Sequence, residues 1–254
     1  MIDPAKHTTA TVTLRRDISS DLWIVRIRPE EPVSFTPGQY ATVGLPHGGR
    51  LLERPYSVAS APDDPELEFF LELVPGGHLT PHLYDVPAGG QVHVRKVAKG
   101  RFLFDARSGH PDHFMIATVT GAAPFLSMLR DFVRRHRARE PVPYRIALLH
   151  AASISRELGY CEELSGYARE CPWFHYIPTV SRVWLDPTWR GESGRVEDVA
   201  RKHMELLGFS PGETTAYACG NPNMIENVKG VLQRAGFPRE FVKQEVYWVA
   251  EKGE

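Results

Sequence analysis

The stretch Phe114-Met115-Ile116-Ala117-Thr118-Val119-Thr120-Gly121-Ala122-Ala123-Pro124-Phe125-Leu126-Ser127-Met128-Leu129 sets the architecture of the chain. Its first five residues form a short apolar run, long enough for a buried strand. Small residues then turn the chain, and over 124–133 apolar side chains recur at helical spacing. Strand, turn and helix in that order begin a βαβ unit. The alternation continues downstream. Residues 144–150 read as a strand, 157–169 as a helix, 174–180 as a strand, 196–207 as a helix, 215–219 as a strand and 222–235 as a helix. Strands alternating with helices imply a parallel, doubly wound sheet.

Upstream the pattern differs. Segments 11–14, 22–27, 39–43, 56–60, 67–74 and 91–94 are alternating or β-branched. Pro37-Gly38, Ala61-Pro62-Asp63-Asp64, Pro75-Gly76-Gly77 and Gly89-Gly90 punctuate them. Short strands at this spacing predict an antiparallel barrel, with a short helix over 80–84. Ser108-Gly109-His110-Pro111 breaks both patterns. The expected organisation is two domains: an antiparallel β-barrel over residues 1–108 and an α/β domain with a doubly wound parallel sheet over residues 109–254.

Composition narrows the functional classes. The chain has 254 residues, 42% apolar and 24% charged, which is ordinary for a globular protein with room for two modest cores. A net charge of −1 gives no global argument for nucleic-acid or membrane binding. Three cysteines, Cys161, Cys171 and Cys219, are too few for a disulfide framework or a four-thiolate metal site, so no metal is expected. The N-terminus lacks an apolar signal core and no long apolar run occurs, so a soluble cytoplasmic protein is expected.

The first domain carries Phe35-Thr36-Pro37-Gly38-Gln39-Tyr40, then Arg54-Pro55-Tyr56-Ser57, then Gly76-Gly77-His78-Leu79-Thr80. A guanidinium fork matches a diphosphate, and a tyrosine can lie flat on an isoalloxazine ring. Hydroxyls of Ser57 and Thr80 can donate to ribityl or phosphate oxygens. Here the chain resembles the ferredoxin–NADP reductase family, whose flavin signature reads Arg-x-Tyr-Ser. The resemblance spans about residues 11–248. It implies that Arg54, Pro55, Tyr56, Ser57, Leu71, Leu73, Gly77, Leu79 and Thr80 hold FAD.

In the second domain the family has Thr-Gly-Thr at the first turn. Here Thr118-Val119-Thr120-Gly121 stands in its place, so Thr118, Thr120 and Gly121 are expected to line the dinucleotide path. Val119 replaces a glycine, and a β-branched residue tolerates positive φ badly. Either the turn differs or the approach of the cofactor is altered. Taken alone, this segment reads equally well as a plain strand–helix turn. Cys219-Gly220-Asn221-Pro222-Asn223-Met224 resembles the family's Cys-Gly-Asn-Pro-x-Met segment near the nicotinamide, which implicates Cys219, Asn221 and Met224. A lone cysteine at a strand end is more often buried and inert.

Ser181-Arg182 and Gly194-Arg195 resemble the family's 2′-phosphate-reading segments, so Ser181, Arg182 and Arg195 are expected to select NADP(H). An arginine that often follows the strand near His150 is replaced by Ser153. Near the end, Glu245-Val246-Tyr247-Trp248 resembles the tail of bacterial members, which implies that Tyr247 and Trp248 pack over the flavin or its adenine. An ordinary last strand is the alternative. A further extension, 249–254, could shield the flavin, reach a carrier or fray.

The resemblance implies hydride transfer between NADP(H) and FAD, coupled to one-electron exchange with a separate ferredoxin or flavodoxin. Tyr56, Cys219 and Glu245 would stand closest to the chemistry. A monomer is expected, with Lys96, Lys99 and Arg101, or Arg130, Arg134, Arg135, Arg137 and Arg139, as a surface for an acidic carrier. The run 134–139 reads more simply as the polar end of a helix. Three alternatives stay open: an NADH-dependent reductase component of a multi-component oxygenase, a flavin-carrying or regulatory module of a larger complex, and a binding protein that has lost its flavin.

Overall fold

The structure, a computed structural model, describes residues 2–247. It divides into two compact units. One runs to Phe104 and includes Ala123–Asp131; the other comprises Asp105–Ala122 and the residues from Phe132 onward.

The first unit holds β1 (His7–Asp17), β2 (Leu22–Pro29), β3 (Tyr40–His47), β4 (Arg50–Ser57), β5 (Leu67–Glu72), α1 (Thr80–Tyr84) and β6 (Gln91–Arg95). The strands form one sheet in the order β4-β3-β6-β1-β2-β5, with every neighbouring pair antiparallel. The sheet curls until its edges approach: the Ala59 N–H, just past β4, donates to the Glu68 carbonyl on β5 at 2.8 Å. Alternate side chains fill the inside, among them Trp23, Val43, Phe69, Leu71, Val92 and Val94. Trp23 is fully buried. A side chain of that size contributes on the order of 3 kcal/mol by burial.

One strand lies elsewhere than the sequence suggests. A strand was expected over 56–60, yet β4 ends at Ser57. The turn Gly48-Gly49 makes a tight hairpin that pairs His47 with Arg50 and carries the register through to Tyr40 opposite Ser57. Pro46 and Pro55 lie on this ladder, and proline weakens a strand signal; β4 is an edge strand, where proline is tolerated. Arg54 and Tyr56 therefore sit at the end of a strand rather than ahead of one.

The second unit is built from β7 (Asp112–Thr118), β8 (Arg145–Ala152), α3 (Cys161–Glu170), β9 (Phe174–Val180), β10 (Glu192–Ser193), α4 (Val196–Leu207), β11 (Thr214–Gly220), α5 (Pro222–Arg234) and β12 (Val242–Val246). Helix α2 (Ala123–Arg137) follows β7. The sheet order is β10-β9-β8-β7-β11-β12 and all pairs are parallel. Strands β8 and β9 step away on one side of β7, and β11 and β12 lie on the other. The order thus reverses between β7 and β11, the switch point at which open sheets of this kind take ligands. Strands β10 and β12 have no clear pattern in the sequence, being two and five residues long.

Two buried polar networks fix these units. In the first, the Glu68 carboxylate accepts from Arg130 Nη1 at 2.7 Å and from Arg26. Arg130 also donates to the Ala59 carbonyl (2.9 Å), and Ser127 Oγ donates to the Ser60 carbonyl (2.7 Å). These bonds explain why the first nine residues of α2 group with the barrel. The Arg130 side chain is 12% exposed, so it is a structural cation and not part of a docking surface. Arg137 is likewise engaged, in a two-pronged pair with Glu170 at 2.7 and 2.8 Å.

In the second unit, Tyr217 Oη donates to His113 Nδ1 (2.9 Å) and accepts from the Asp105 N–H (3.0 Å). His113 Nε2–H donates to the His110 carbonyl (3.2 Å). Burial pushes the His113 pKa down to about 4, so the ring is neutral and can play both roles.

Candidate functional site

Candidate residues fall into two groups, one in each unit. In the barrel, Arg54 and Tyr56 project from the same face of β4, because side chains alternate along a strand. Arg54 is exposed and its Nη1 donates to the Glu53 carbonyl (2.8 Å). The Tyr56 ring is half-buried and packs edge-on to Phe69, with centroids 6.3 Å apart. Its hydroxyl is sealed from solvent and has no hydrogen-bond partner among the described residues. Burial raises its pKa, which keeps it a donor. A buried hydroxyl with no partner is costly, and an incoming acceptor would remove the cost.

Ser57, Leu71, Leu79 and Thr80 are buried, and Leu73 is half-buried. The Leu73 N–H donates to the Asp21 carbonyl (2.7 Å) and the Gly77 N–H to the Val74 carbonyl (2.9 Å). Thr80 Oγ1 accepts the Val74 N–H (3.1 Å). The loop after β5 is thereby tied into one shape. An exposed guanidinium, an aromatic face and an orphaned phenolic donor on neighbouring positions fit a flavin dinucleotide.

In the second unit two turns meet at the switch point. A Cβ on Gly121 would stand 2.3 Å from the Cys219 carbonyl oxygen, and one on Gly220 would stand 2.3 Å from Thr118 Oγ1. Gly220 also has φ +126, where side chains are rare. Only glycine at both positions lets the two backbones touch. Thr118 Oγ1 accepts the Asn221 N–H (2.9 Å) and so ties one turn to the other. Asn221 then caps α5, accepting from the N–H groups of Asn223 (2.9 Å) and Met224 (3.3 Å). Helix α2 has Ala122 at its N-cap and no side-chain cap. Its first N–H groups suit a diphosphate. Thr120 is half-buried in the same turn.

Val119 does adopt positive φ, +44. The turn keeps a left-handed residue although the residue is β-branched. His150 Nε2–H donates to the Val119 carbonyl at 3.0 Å.

At the next strand ends, the Ser181 N–H donates to the Ala152 carbonyl (3.0 Å) and the Arg182 N–H to the Ser153 carbonyl (2.9 Å). Ser181 and Arg182 are exposed at the carboxyl end of β9. Arg195 is exposed after β10, which pairs with β9 through Ser193 and Val180. Beside them, Glu157 accepts the Ser153 N–H (2.9 Å).

Cys219 is fully buried, and burial, with Glu245 beside it, holds its thiol neutral far above ordinary pH. The Tyr247 side chain lies close to that thiol. Glu245 faces Cys219 in the β11–β12 register. Met224 is buried in α5.

Comparison with known proteins decides the family. Residues 9–104 match the oxidoreductase FAD-binding domain and residues 115–230 the oxidoreductase NAD-binding domain. The chain is 31% identical over 264 residues to the flavodoxin/ferredoxin–NADP reductase of Rhodobacter capsulatus, covering 97% of this chain and 96% of that one. The chain belongs to the ferredoxin–NADP reductase family. It is a flavin- and nicotinamide-nucleotide-dependent oxidoreductase. This reductase is also 30% identical over 251 residues to the phenol 2-monooxygenase reductase component DmpP of Pseudomonas sp. (strain CF600), covering 98% of this chain and 68% of that one. A solved ferredoxin NADP+ reductase from Neisseria gonorrhoeae with bound FAD and NADP superposes with a TM-score of 0.83 at 25% identity, covering 96% of this chain and 99% of that one.

The two turns are flanked by polar residues that carry no signal of their own in the sequence. His150 entered only as a strand-end marker, Glu157 only as a helix start and Tyr176 only within a strand. His150 finds Val119 31 residues away and Tyr176 26 residues away, separations that no local pattern reveals; Glu157 bonds the nearby Ser153 N–H, within reach of a local reading. Trp248 and the extension 249–254 lie outside the described residues. Among the described residues no helix is long and apolar enough to cross a membrane, and no group of three or more metal-ligating side chains comes together.

Proposed function

We propose that this reductase moves electrons between NADP(H) and a separate ferredoxin or flavodoxin through FAD, as a cytoplasmic monomer. The observation that carries the reading is the glycine-to-backbone junction of Gly121 and Cys219 at the sheet's switch point. It gives a nucleotide close access to the Thr118–Gly121 turn and to the uncapped start of α2.

When bound, the flavin supplies hydride acceptance and single-electron release; the chain supplies position and electrostatics. Arg54 pairs the flavin's diphosphate, Tyr56 gives a flat face and a hydroxyl donor, and Ser57 and Thr80 help hold the ribityl side. Pro55, Leu71, Leu73, Gly77 and Leu79 shape the pocket. Thr118, Thr120 and Gly121 line the nucleotide path, with Asn221 and Met224 at its far side. Cys219, neutral and buried, serves as a wall near the nicotinamide and not as a nucleophile. Glu245 and Tyr247 sit beside it. No side chain has to act as a strong base. Ser181, Arg182 and Arg195 take a 2′-phosphate.

A second reading has its own support. Glu157 lies at the carboxyl end of β8 and accepts the Ser153 N–H. A carboxylate there suits a ribose hydroxyl and opposes a 2′-phosphate. Together with the relative that serves a phenol monooxygenase, this favours an NADH-dependent reductase component of an oxygenase. Anaerobic stopped-flow reduction, followed at about 450 nm where oxidised flavin absorbs, separates the two. Faster bleaching by NADPH supports the first reading, and faster bleaching by NADH supports the second. A protein that purifies without flavin overturns both.

A further inference from the structure

Val119 occupies a conformation that a β-branched residue enters at a cost, with φ +44 in the left-handed region. The turn it belongs to is the one that Thr118, Gly121 and the Cys219–Asn221 turn build together. Two tethers hold it. The Val119 side chain packs against an apolar cluster of Ala152, Leu158 and Val180, with Cys161 and Trp189 at its margin. Its carbonyl accepts His150 Nε2–H at 3.0 Å.

His150 is fully buried at the end of β8, and among the described residues its ring bonds only the Val119 carbonyl and, at Nδ1, Tyr176 Oη (3.2 Å). The assignment of protons follows from chemistry. A carbonyl only accepts, so Nε2 carries the hydrogen; Nδ1 then accepts from the tyrosine. Burial pushes the ring's pKa down to about 4, so the neutral form that this bonding needs is the one present. The line from Tyr176 through His150 therefore ends on one backbone oxygen, that of the left-handed residue in the turn.

We propose that His150 is a positioning residue for the nicotinamide nucleotide: its Nε2–H holds the Val119 carbonyl, and so keeps the Thr118–Gly121 turn in the shape that admits a diphosphate. The inference rests on the reading of that turn as the nucleotide's. His150 reaches the ligand only through Val119. Glycine at 119 would adopt the same φ without help, so the need for His150 depends on the residue it holds.

The test is a cycle of variants, with NADP+ binding to the FAD-loaded protein read by isothermal titration calorimetry and unfolding read by thermal denaturation. His150→Asn keeps a polar group near Nδ1, but its amide is too short to reach the Val119 carbonyl. His150→Gln places an amide N–H close to where Nε2 stands. The expected result is a loss of about tenfold in NADP+ affinity for His150→Asn, the scale of one well-placed hydrogen bond. KM for the nucleotide should rise more than kcat falls, and His150→Gln should recover most of the affinity. In a Val119→Gly background the His150→Asn penalty should shrink to less than about threefold. Unchanged affinity in His150→Asn, or the same penalty with glycine at 119, overturns the proposal. An unmodified protein that binds neither NADP+ nor NAD+ overturns the nucleotide reading itself, and this outcome is visible before any variant is made. Should His150→Asn fail to fold, the comparison of His150→Gln with and without Val119→Gly decides the question. Wild-type affinity in His150→Gln supports the role of the donor, and a loss that glycine does not relieve overturns it.

Discussion

Gly121 lies directly against Cys219: a methyl group on Gly121 would stand 2.3 Å from the Cys219 carbonyl oxygen and 2.7 Å from its carbon. Both partners are backbone, so neither can swing away as a side chain would. Gly121→Ala should push the turn after β7 off the turn after β11. Overpacking of this kind costs about 1–3 kcal/mol. The expected outcome is a lower melting temperature with FAD content close to normal and nucleotide binding weakened more than stability alone explains. Wild-type NADP+ affinity in Gly121→Ala would separate the junction from the nucleotide.

Arg54 is exposed on the same face of β4 as the orphaned hydroxyl of Tyr56. If it pairs the flavin diphosphate, Arg54→Ala loses charge-assisted hydrogen bonds of about 1.5–3 kcal/mol, or roughly tenfold to a hundredfold in FAD affinity. Arg54→Lys should recover only part, because an ammonium cannot reproduce the planar fork. Equilibrium dialysis of the apoprotein with FAD reads this directly. Equal affinity for FAD in both variants and the parent would remove Arg54 from the site.

On the proposed reading, the strand ends that would take a 2′-phosphate set cations against a carboxylate. The Arg182 N–H is bonded to the Ser153 carbonyl, and the Ser153 N–H is bonded to Glu157. Arg182→Ala should raise KM for NADPH by about tenfold or more and leave KM for NADH nearly unchanged, since the two nucleotides differ only in the phosphate. Glu157→Gln keeps an acceptor for the N–H while removing the charge, so it should shift preference toward NADPH. Steady-state kinetics with both donors reads each change. A parallel change for both nucleotides would show that neither residue discriminates.

How much of this was legible in the sequence depends on the range of the interaction. The two sheets were readable because β-rich segments with turn punctuation and the strand–helix alternation are local patterns. The flavin motif was readable as residues but misplaced by one hairpin, because the Gly48-Gly49 turn and the prolines on its ladder conceal β4. The strain at Val119 was legible as a conflict between residue type and turn. Its relief was not, because His150 lies 31 residues away. Arg130 was nominated for a surface role on the strength of its charge. Its partner Glu68, 62 residues earlier, decides otherwise, and burial of that pair follows only from the closed sheet.

Stability should fall steeply with acid, in two steps of known sign. His113 and His150 are 0% exposed and each has its pKa lowered from 6.5 to about 4, chiefly by burial. The unfolded chain binds these protons more readily than the folded one. Their contribution is thus fully present above about pH 6.5 and is lost as pH falls toward 4, at no more than about 1.4 kcal/mol per pH unit for each ring. Below that, Glu53 and Glu192 take over. Hydrogen bonds from Arg95 to Glu53 and from Lys202 to Glu192 lower their pKa values from 4.5 to about 2. Both carboxylates stabilise the fold above pH 4.5 and lose that contribution as pH drops to 2. Urea unfolding at a series of pH values should show stability level near pH 7–8 and declining from about 6.5 downward. His113→Gln should flatten the upper step without touching the lower one. A stability that stays level down to pH 4.5 would mean that the two buried rings take up protons as readily folded as unfolded, against the lowering that burial predicts.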